Sequence, residues 1–235
     1  MSLKIGSNDV IDIKKGSAQI LAVAVGSEII WESGGLPSGY TKVKYLWSDG
    51  TNQKHIDTLI YPDSTTGAYL DFEVVKNTGV YAIGAMKLDV IRFCPLLVRD
   101  LYLQYEKQLT PQTILDYAPF DTNRHQIYYN YDGDSKVYFD NVEKESIGNI
   151  GTSTNDTSIY LFTRNKSNIP DGTPSVKFYN VKIKQSGVIK RDFIPCLDTN
   201  NVPCFYDTVS GNTFYNQGTG QFGYETMDGT VVAPI

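Results

Sequence analysis

From Thr41 onward the chain is cut into short runs in which apolar and polar side chains alternate, separated by clusters of Gly, Asn, Asp, Ser and Pro. Alternation with period two puts one set of side chains on each face of an extended strand. A chain that repeats this pattern many times, with no long stretch of helical period, can bury its apolar faces only by stacking sheets. The runs fall at residues 41–47, 55–61, 68–75, 80–85, 90–93, 126–131, 136–139, 158–163, 175–185, 188–195 and 204–208. Asp132-Gly133 between two of them is a strong hairpin signal. Residues 97–105 fit a strand or a helix, and 110–117 reads as one helical turn. The expected fold is all-β, a two-sheet antiparallel sandwich of jelly-roll type.

The first 33 residues differ in texture. Ile5-Gly6-Ser7-Asn8-Asp9-Val10 and Val25-Gly26-Ser27-Glu28-Ile29-Ile30 echo each other at an offset of twenty, each reading as strand, Gly-Ser turn, strand. Residues 20–25 between them are continuously apolar, and Trp31 closes the unit. So small a module can hardly bury enough surface to stand alone, so it should dock on a partner, on the second domain or on its own copies. Residues 1–33 therefore read as a β adaptor or oligomerisation module and 34–39 as a Gly/Pro/Ser linker. Residues 40–222 read as the sandwich and 223–235 as a C-terminal tail.

The net charge of −5 and the absence of a basic stripe argue against nucleic acid and anionic membranes as principal partners. No segment has the length of apolar sequence needed to cross a bilayer as a helix, and the apolar run after Lys14-Lys15 reads as a buried strand rather than an export signal. Three cysteines are too few for a disulfide scaffold. Cys196 and Cys204 flank a turn and could face each other. Reduced, buried thiols are the reading adopted, with a disulfide between them as the alternative.

Catalytic signals are sparse. Asp71 and Glu73 share a strand face, as do Glu143 and Glu145, but a retaining glycosidase needs two carboxyl groups flanking a scissile bond, and no third acid continues the Asp71 face. Outward-facing solvated acids explain both pairs. His55 and His125 lie near no nucleophile motif. Asp132 and Asp134 could offer oxygens to a Ca²⁺ ion on the rim, with Asp63 and Asp171 as further donors, although a plain hairpin turn needs no metal. Sugar recognition is the better lead, since it needs a flat aromatic face for C–H surface and amides or Arg for hydroxyls. Tyr128, Asn130 and Tyr131 beside the hairpin, with Arg164 and Asn165 after residues 160–162, have that chemistry. Alternation makes at least one of Tyr128 and Tyr129 a core residue.

Several segments carry a family resemblance. The opening Leu36-Pro37-Ser38-Gly39-Tyr40-Thr41-Lys42-Val43-Lys44-Tyr45-Leu46 resembles the entry strand of concanavalin A-like, laminin-G-like modules, and Gly50 to Thr58 resembles the stretch that follows it there. Val176-Lys177-Phe178-Tyr179-Asn180-Val181-Lys182-Ile183 and Ile189-Lys190-Arg191-Asp192-Phe193-Ile194-Pro195-Cys196 resemble the family's last two long strands. Phe205-Tyr206-Asp207 with Gly211, Phe214-Tyr215 and Gly218 to Phe222 resembles its closing turn. Cys204 departs from the family's usual Gly, and residues 86–125 depart from its middle. The N-terminal unit is similar to Gly-Ser modules that begin minor structural proteins of tailed phages. The resemblance implies a non-enzymatic, oligomeric protein of the virion, in tail, baseplate or head fibre, assembled in the host cytoplasm, with display on a bacterial cell surface as the alternative location. It would join other virion proteins through residues 1–33 and bind bacterial surface glycan through the sandwich. A purely structural decoration protein and a glycoside depolymerase are the rival implications.

Overall fold

The computed structural model describes strand segments at 4–5, 8–9, 14–15, 18–19, 22–25 and 28–32, then residues 35–76, 80–87, 91–99, 102–106, 114–119, 121–131, 133–146 and 156–235. Among these residues there is no helix, and the fold is an all-β sandwich. The larger sheet has eleven strands. They are β7 (Thr41–Asp49), β9 (Gly67–Lys76), β14 (Arg124–Tyr129), β15 (Lys136–Phe139), β16 (Val142–Ser146), β20 (Ser175–Gln185), β21 (Val188–Leu197), β22 (Pro203–Asp207), β23 (Thr213–Tyr215), β24 (Gly223–Thr226) and β25 (Val231–Val232). Its main path runs β16-β15-β14-β9-β20-β21-β7-β24-β25, with β22 and β23 continuing from β21. The smaller sheet joins β13 (Ile114–Pro119), β12 (Tyr102–Glu106), β11 (Ile91–Arg99), β10 (Val80–Lys87), β18 (Thr163–Lys166) and β19 (Ile169–Asp171) in that order. All its pairings are antiparallel except β10–β18, which is parallel. A short pair, β8 (Ile56–Asp57) with β17 (Tyr160–Leu161), completes the body.

The core follows from the alternation. Leu70, Phe72 and Val74 of β9, Ile127 and Tyr129 of β14, and Val176, Phe178, Val181 and Ile183 of β20 all point inward. They meet Ala82, Ile83, Ala85, Phe93 and Leu96 of the smaller sheet. Tyr129 is the buried member of the Tyr128-Tyr129 pair and packs edge-on against Phe93 at 5.5 Å. At the centre, Phe162 packs on Phe178 and Phe222 at 4.9 and 4.4 Å. Its φ of 65° is a left-handed conformation unusual for a bulky residue, and the surrounding aromatic packing holds it there.

The structure departs from the sequence expectation in three places and decides a fourth that the sequence left open. In the segment read as strand or helix, residues 97–99 end β11 and 102–105 lie in β12, so the strand reading holds. Residues 114–117 belong to β13, where Ile114 pairs with Glu106, so the expected helical turn gives way to a ladder; the rest of that segment lies outside the described residues. An isolated turn has little to stabilise it, whereas a strand beside β12 gains hydrogen bonds along its length. The expected strand at 55–61 shrinks to Ile56–Asp57, because Leu59 at φ 57° turns the backbone out of the extended region. Residues 223–226, expected within a tail, instead form β24 against β7.

The first residues form three separate antiparallel pairs: β1 (Lys4–Ile5) with β2 (Asn8–Asp9), β3 (Lys14–Lys15) with β4 (Ala18–Gln19), and β5 (Ala22–Val25) with β6 (Glu28–Glu32). Ile5 pairs with Asn8, Lys15 with Ala18 and Val25 with Glu28. Each pair therefore straddles a Gly-Ser dipeptide, and the repeat of the sequence is ten residues rather than twenty, with Lys15-Gly16-Ser17-Ala18 as its middle copy.

Candidate functional site: the outer face of the larger sheet

The side chains that alternate with the core residues on β9, β14 and β20 form a continuous outer face. Register fixes one transverse row across six strands: Glu143, Tyr138, Tyr128, Tyr69, Lys182 and Asp192 stand directly opposite one another in turn. Tyr69 and Tyr128 have ring centroids 4.8 Å apart, and Tyr131 joins them at 6.3 and 5.8 Å. Lys184 lies over the Tyr131 ring at 3.8 Å. All three tyrosines are half-buried. Among the described residues, neither the Tyr128 hydroxyl nor the side-chain amide of Gln126 makes a hydrogen bond, although the Gln126 backbone amide donates to Asp140 Oδ1.

The face is knitted together by charges and bulges. A register shift between Phe178 and Asn180 makes Tyr179 an extra residue of β20. Bulges commonly re-aim a side chain, and here the Tyr179 hydroxyl donates to Glu73 Oε2 at 2.8 Å. Lys177, directly opposite Glu73, donates to Oε1 at 2.7 Å. Arg124 donates to both Asp71 oxygens at 2.6 and 2.7 Å while its guanidinium lies 3.9 Å from the Tyr179 ring centroid. On β7, Tyr45 meets Tyr179 edge-on at 5.2 Å, with Lys177 over its ring at 4.7 Å.

Burial, with Glu225 and Glu73 nearby, pushes the Tyr45 phenol up to about 12. Burial and the adjacent Asp71 or Glu73 raise Tyr69 and Tyr179 as well, so these hydroxyls remain protonated donors. Further pairs, Lys182–Asp192 at 3.1 Å, Lys136–Glu143 at 2.8 Å and Lys44–Glu225 at 2.6 Å, match acid to base locally. The face therefore offers aromatic surface, hydroxyls and amides with its charges compensated.

The sequence candidates separate on this structure. Tyr128 and Tyr131 come together on the outer face. Asn130 does not join them: it is buried at φ 45°, donates to Thr66 O at 3.0 Å and accepts from Ser135 N at 3.0 Å, holding the hairpin loop to the start of β9. Arg164 and Asn165 lie in β18, in the other sheet. Parallel pairing with β10 draws that strand inside. Arg164 is buried over the Tyr81 ring and paired with Asp171, and Asn165 is buried and donates to Ser158 O.

Of the possible calcium donors, Asp132 lies outside the described residues. Asp134 accepts from Lys136 N and the Tyr138 hydroxyl, Asp63 from Thr65 and Thr66, and Asp171 from Arg164. Among the described residues no three His, Cys, Asp or Glu side chains converge as a metal cage. Asp71 and Glu73 do share a face, yet every one of their carboxylate oxygens is engaged by Arg124, Lys177 or Tyr179.

Sequence reasoning missed Tyr69, Tyr45, Tyr179 and Arg124. Alternation along residues 68–75 could have put Tyr69 beside Asp71 and Glu73, but nothing local pairs these residues with Arg124 or Tyr179. No family model, curated protein or solved structure matches the chain.

Proposed function

We propose that this protein is a non-enzymatic glycan-binding sandwich that holds neutral sugar units on the outer face of its larger sheet, around Tyr69, Tyr128 and Tyr131. The observation that carries this reading is the clustered tyrosine surface on a solvent-side sheet face, with an unspent hydroxyl and amide beside it. Phenol rings provide flat surface for a pyranose C–H face, and Gln126 and Tyr128 supply directional hydrogen bonds to hydroxyls. Because the face's acids and bases are internally paired, an anionic polymer gains little there. Carboxylates held by cations and a phenol make poor catalysts of glycoside cleavage, which favours binding over hydrolysis.

The resemblances of residues 36–222 and of the N-terminal repeat extend the proposal to a laminin-G-like module carried on a phage virion and directed at bacterial surface glycan. A single shallow sugar site holds at about millimolar Kd, near −4 kcal/mol. Copies joined through residues 1–33 would raise avidity by roughly 10²–10⁴. The test is a glycan array probed with the full chain and with Tyr128→Ala. Binding to neutral glycans that falls at least tenfold in the variant supports the proposal. Absence of binding at high valency would leave a decoration protein instead.

A further inference from the structure

A second polar recess lies away from the outer face. Asn52, Gln53, His55, Pro170, Gln217, Gly218 and Thr219 line a cleft of about 490 Å³ beside the edge strand β19. That volume falls within the roughly 300–1,000 Å³ of ligand sites. No lining residue carries a fixed charge. The His55 imidazole is stacked on Tyr160 at 4.7 Å and engages Gln53 O through Nδ1 at 2.8 Å. A carbonyl oxygen only accepts, so Nδ1 carries the proton and Nε2 is left as an acceptor. Burial holds this ring below its ordinary pKa, which keeps it neutral.

The walls of the cleft are built rather than draped. Gln217 N donates to His55 O at 2.8 Å, His55 N to Asn216 Oδ1 at 3.0 Å and Thr219 N to Asn52 O at 3.2 Å. A β-carbon at Gly218 would lie 2.3 Å from Gln53 O, so only glycine lets the two loops close on each other. Asn52 and Gln53 hold successive left-handed conformations, φ 61° and 49°. Backbone held in this region concentrates at ligand sites. The side-chain amides of Asn52 and Gln53 and the His55 Nε2 make no hydrogen bond among the described residues.

From this arrangement we infer that the cleft is a second binding site, for a neutral, hydroxyl-rich ligand of the size of one sugar ring. Amides supply donors and acceptors together, His55 supplies an acceptor, and Pro170 supplies a small apolar wall. An anion or cation would enter without a counter-charge, so a charged ligand is disfavoured.

The experiment is a heteronuclear NMR titration of the full chain with glucose, galactose, mannose and N-acetylglucosamine, each to about 50 mM, a range suited to near-millimolar sites, with glucuronate and glucosamine as charged controls. At least one neutral sugar is expected to shift the Asn52, Gln53 and Gln217 amide signals and the His55 ring signals in a saturable way. Gln53→Ala and His55→Phe, each checked for an unchanged amide spectrum elsewhere, should weaken that response fivefold or more. Tyr128→Ala should leave it intact, which separates this cleft from the outer face. Saturable shifts confined to the charged controls, or no shift of the cleft signals with any neutral sugar, would overturn the inference.

Discussion

Arg124 grips Asp71 by both carboxylate oxygens although its direct cross-strand neighbour is Glu73. The diagonal choice follows from competition, because Glu73 is already held from the other side by Lys177 and Tyr179. Asp71 is nearly buried and Arg124 is the cation that meets its carboxylate, whereas the Arg124 side chain is 54% exposed. Losing one partner of a fully buried pair costs about 3–5 kcal/mol. With Arg124 half in water, Arg124→Ala is expected to cost about 2 kcal/mol in urea unfolding. Adding Asp71→Asn to it should restore a good part of the loss. A double variant no more stable than Arg124→Ala would show that Asp71 needs no partner.

A pH dependence is expected at the start of β14, beside the turn from β15 to β16. His125 is bracketed by two carboxylates, Nδ1 to Asp140 at 2.7 Å and Nε2 to Asp121 at 2.8 Å. Two acceptors satisfy the ring only when both nitrogens carry protons. Burial opposes the charge, but Asp140 and Asp121 outweigh it and hold the imidazole above its ordinary 6.5. This contribution is whole below that value and is lost as pH rises through the folded value. Asp121 faces a burial cost too, yet His125 and Asn123 keep it below 3.8, so its share is present above that value and lost as pH falls through the lower folded one. The bracket is therefore strongest from roughly pH 4 to 6.5. Stability should drop by about 1 kcal/mol between pH 5.5 and 8.5, discounted because both carboxylates are partly exposed. Thermal unfolding at the two pH values checks it, and His125→Gln should flatten the difference.

Cys196 and Cys204 pair directly across β21 and β22 with their sulfurs 3.6 Å apart and both buried as free thiols. The contact with Cys196 and burial push the Cys204 thiol well above its ordinary pKa. Since an alkylating agent must reach the sulfur and both are buried, both should resist iodoacetamide in the native protein and react at once in denaturant. Forced oxidation with diamide should join these two and spare Cys94. A product linking Cys94 to either would contradict the register.

A β-carbon at Gly67 would stand 2.2 Å from Asn130 O, a backbone atom that cannot swing away. Gly67→Ala is expected to cost about 2–3 kcal/mol by overpacking. Gly187, at φ 74° in open space, isolates the conformational effect. Gly187→Ala should cost no more than about 1–2 kcal/mol, and equal losses in chemical denaturation would argue against the close approach.

Local pattern carried the sandwich. The alternation at Thr41–Asp49, Ser175–Gln185 and Val188–Leu197 and the hairpin between β14 and β15 are legible because each depends on neighbours within a few residues. The same parity argument required at least one of Tyr128 and Tyr129 to be core, and the structure makes it Tyr129. What was not legible is whatever depends on register between distant strands. Glu73 meets Tyr179 across 106 residues and Asp71 meets Arg124 across 53. Arg164 and Asn165 read as surface groups because nothing nearby announces the parallel partner β10 that buries them. Residues 110–117 read as a helical turn because the strand partner of 114–117 is chosen by tertiary pairing rather than propensity.

The pairing of β24 with β7 sets the order in which the molecule can be made. Tyr224 lies opposite Leu46, so the strand that opens the sandwich waits for nearly the whole length of the chain before one of its edges is covered. While the ribosome is still at work, that edge carries unpaired amides and carbonyls beside an apolar surface, a template on which two nascent copies can join. Shortening the C-terminal end before residue 223 would make that transient hazard permanent, and the yield of soluble product should collapse long before any binding is lost.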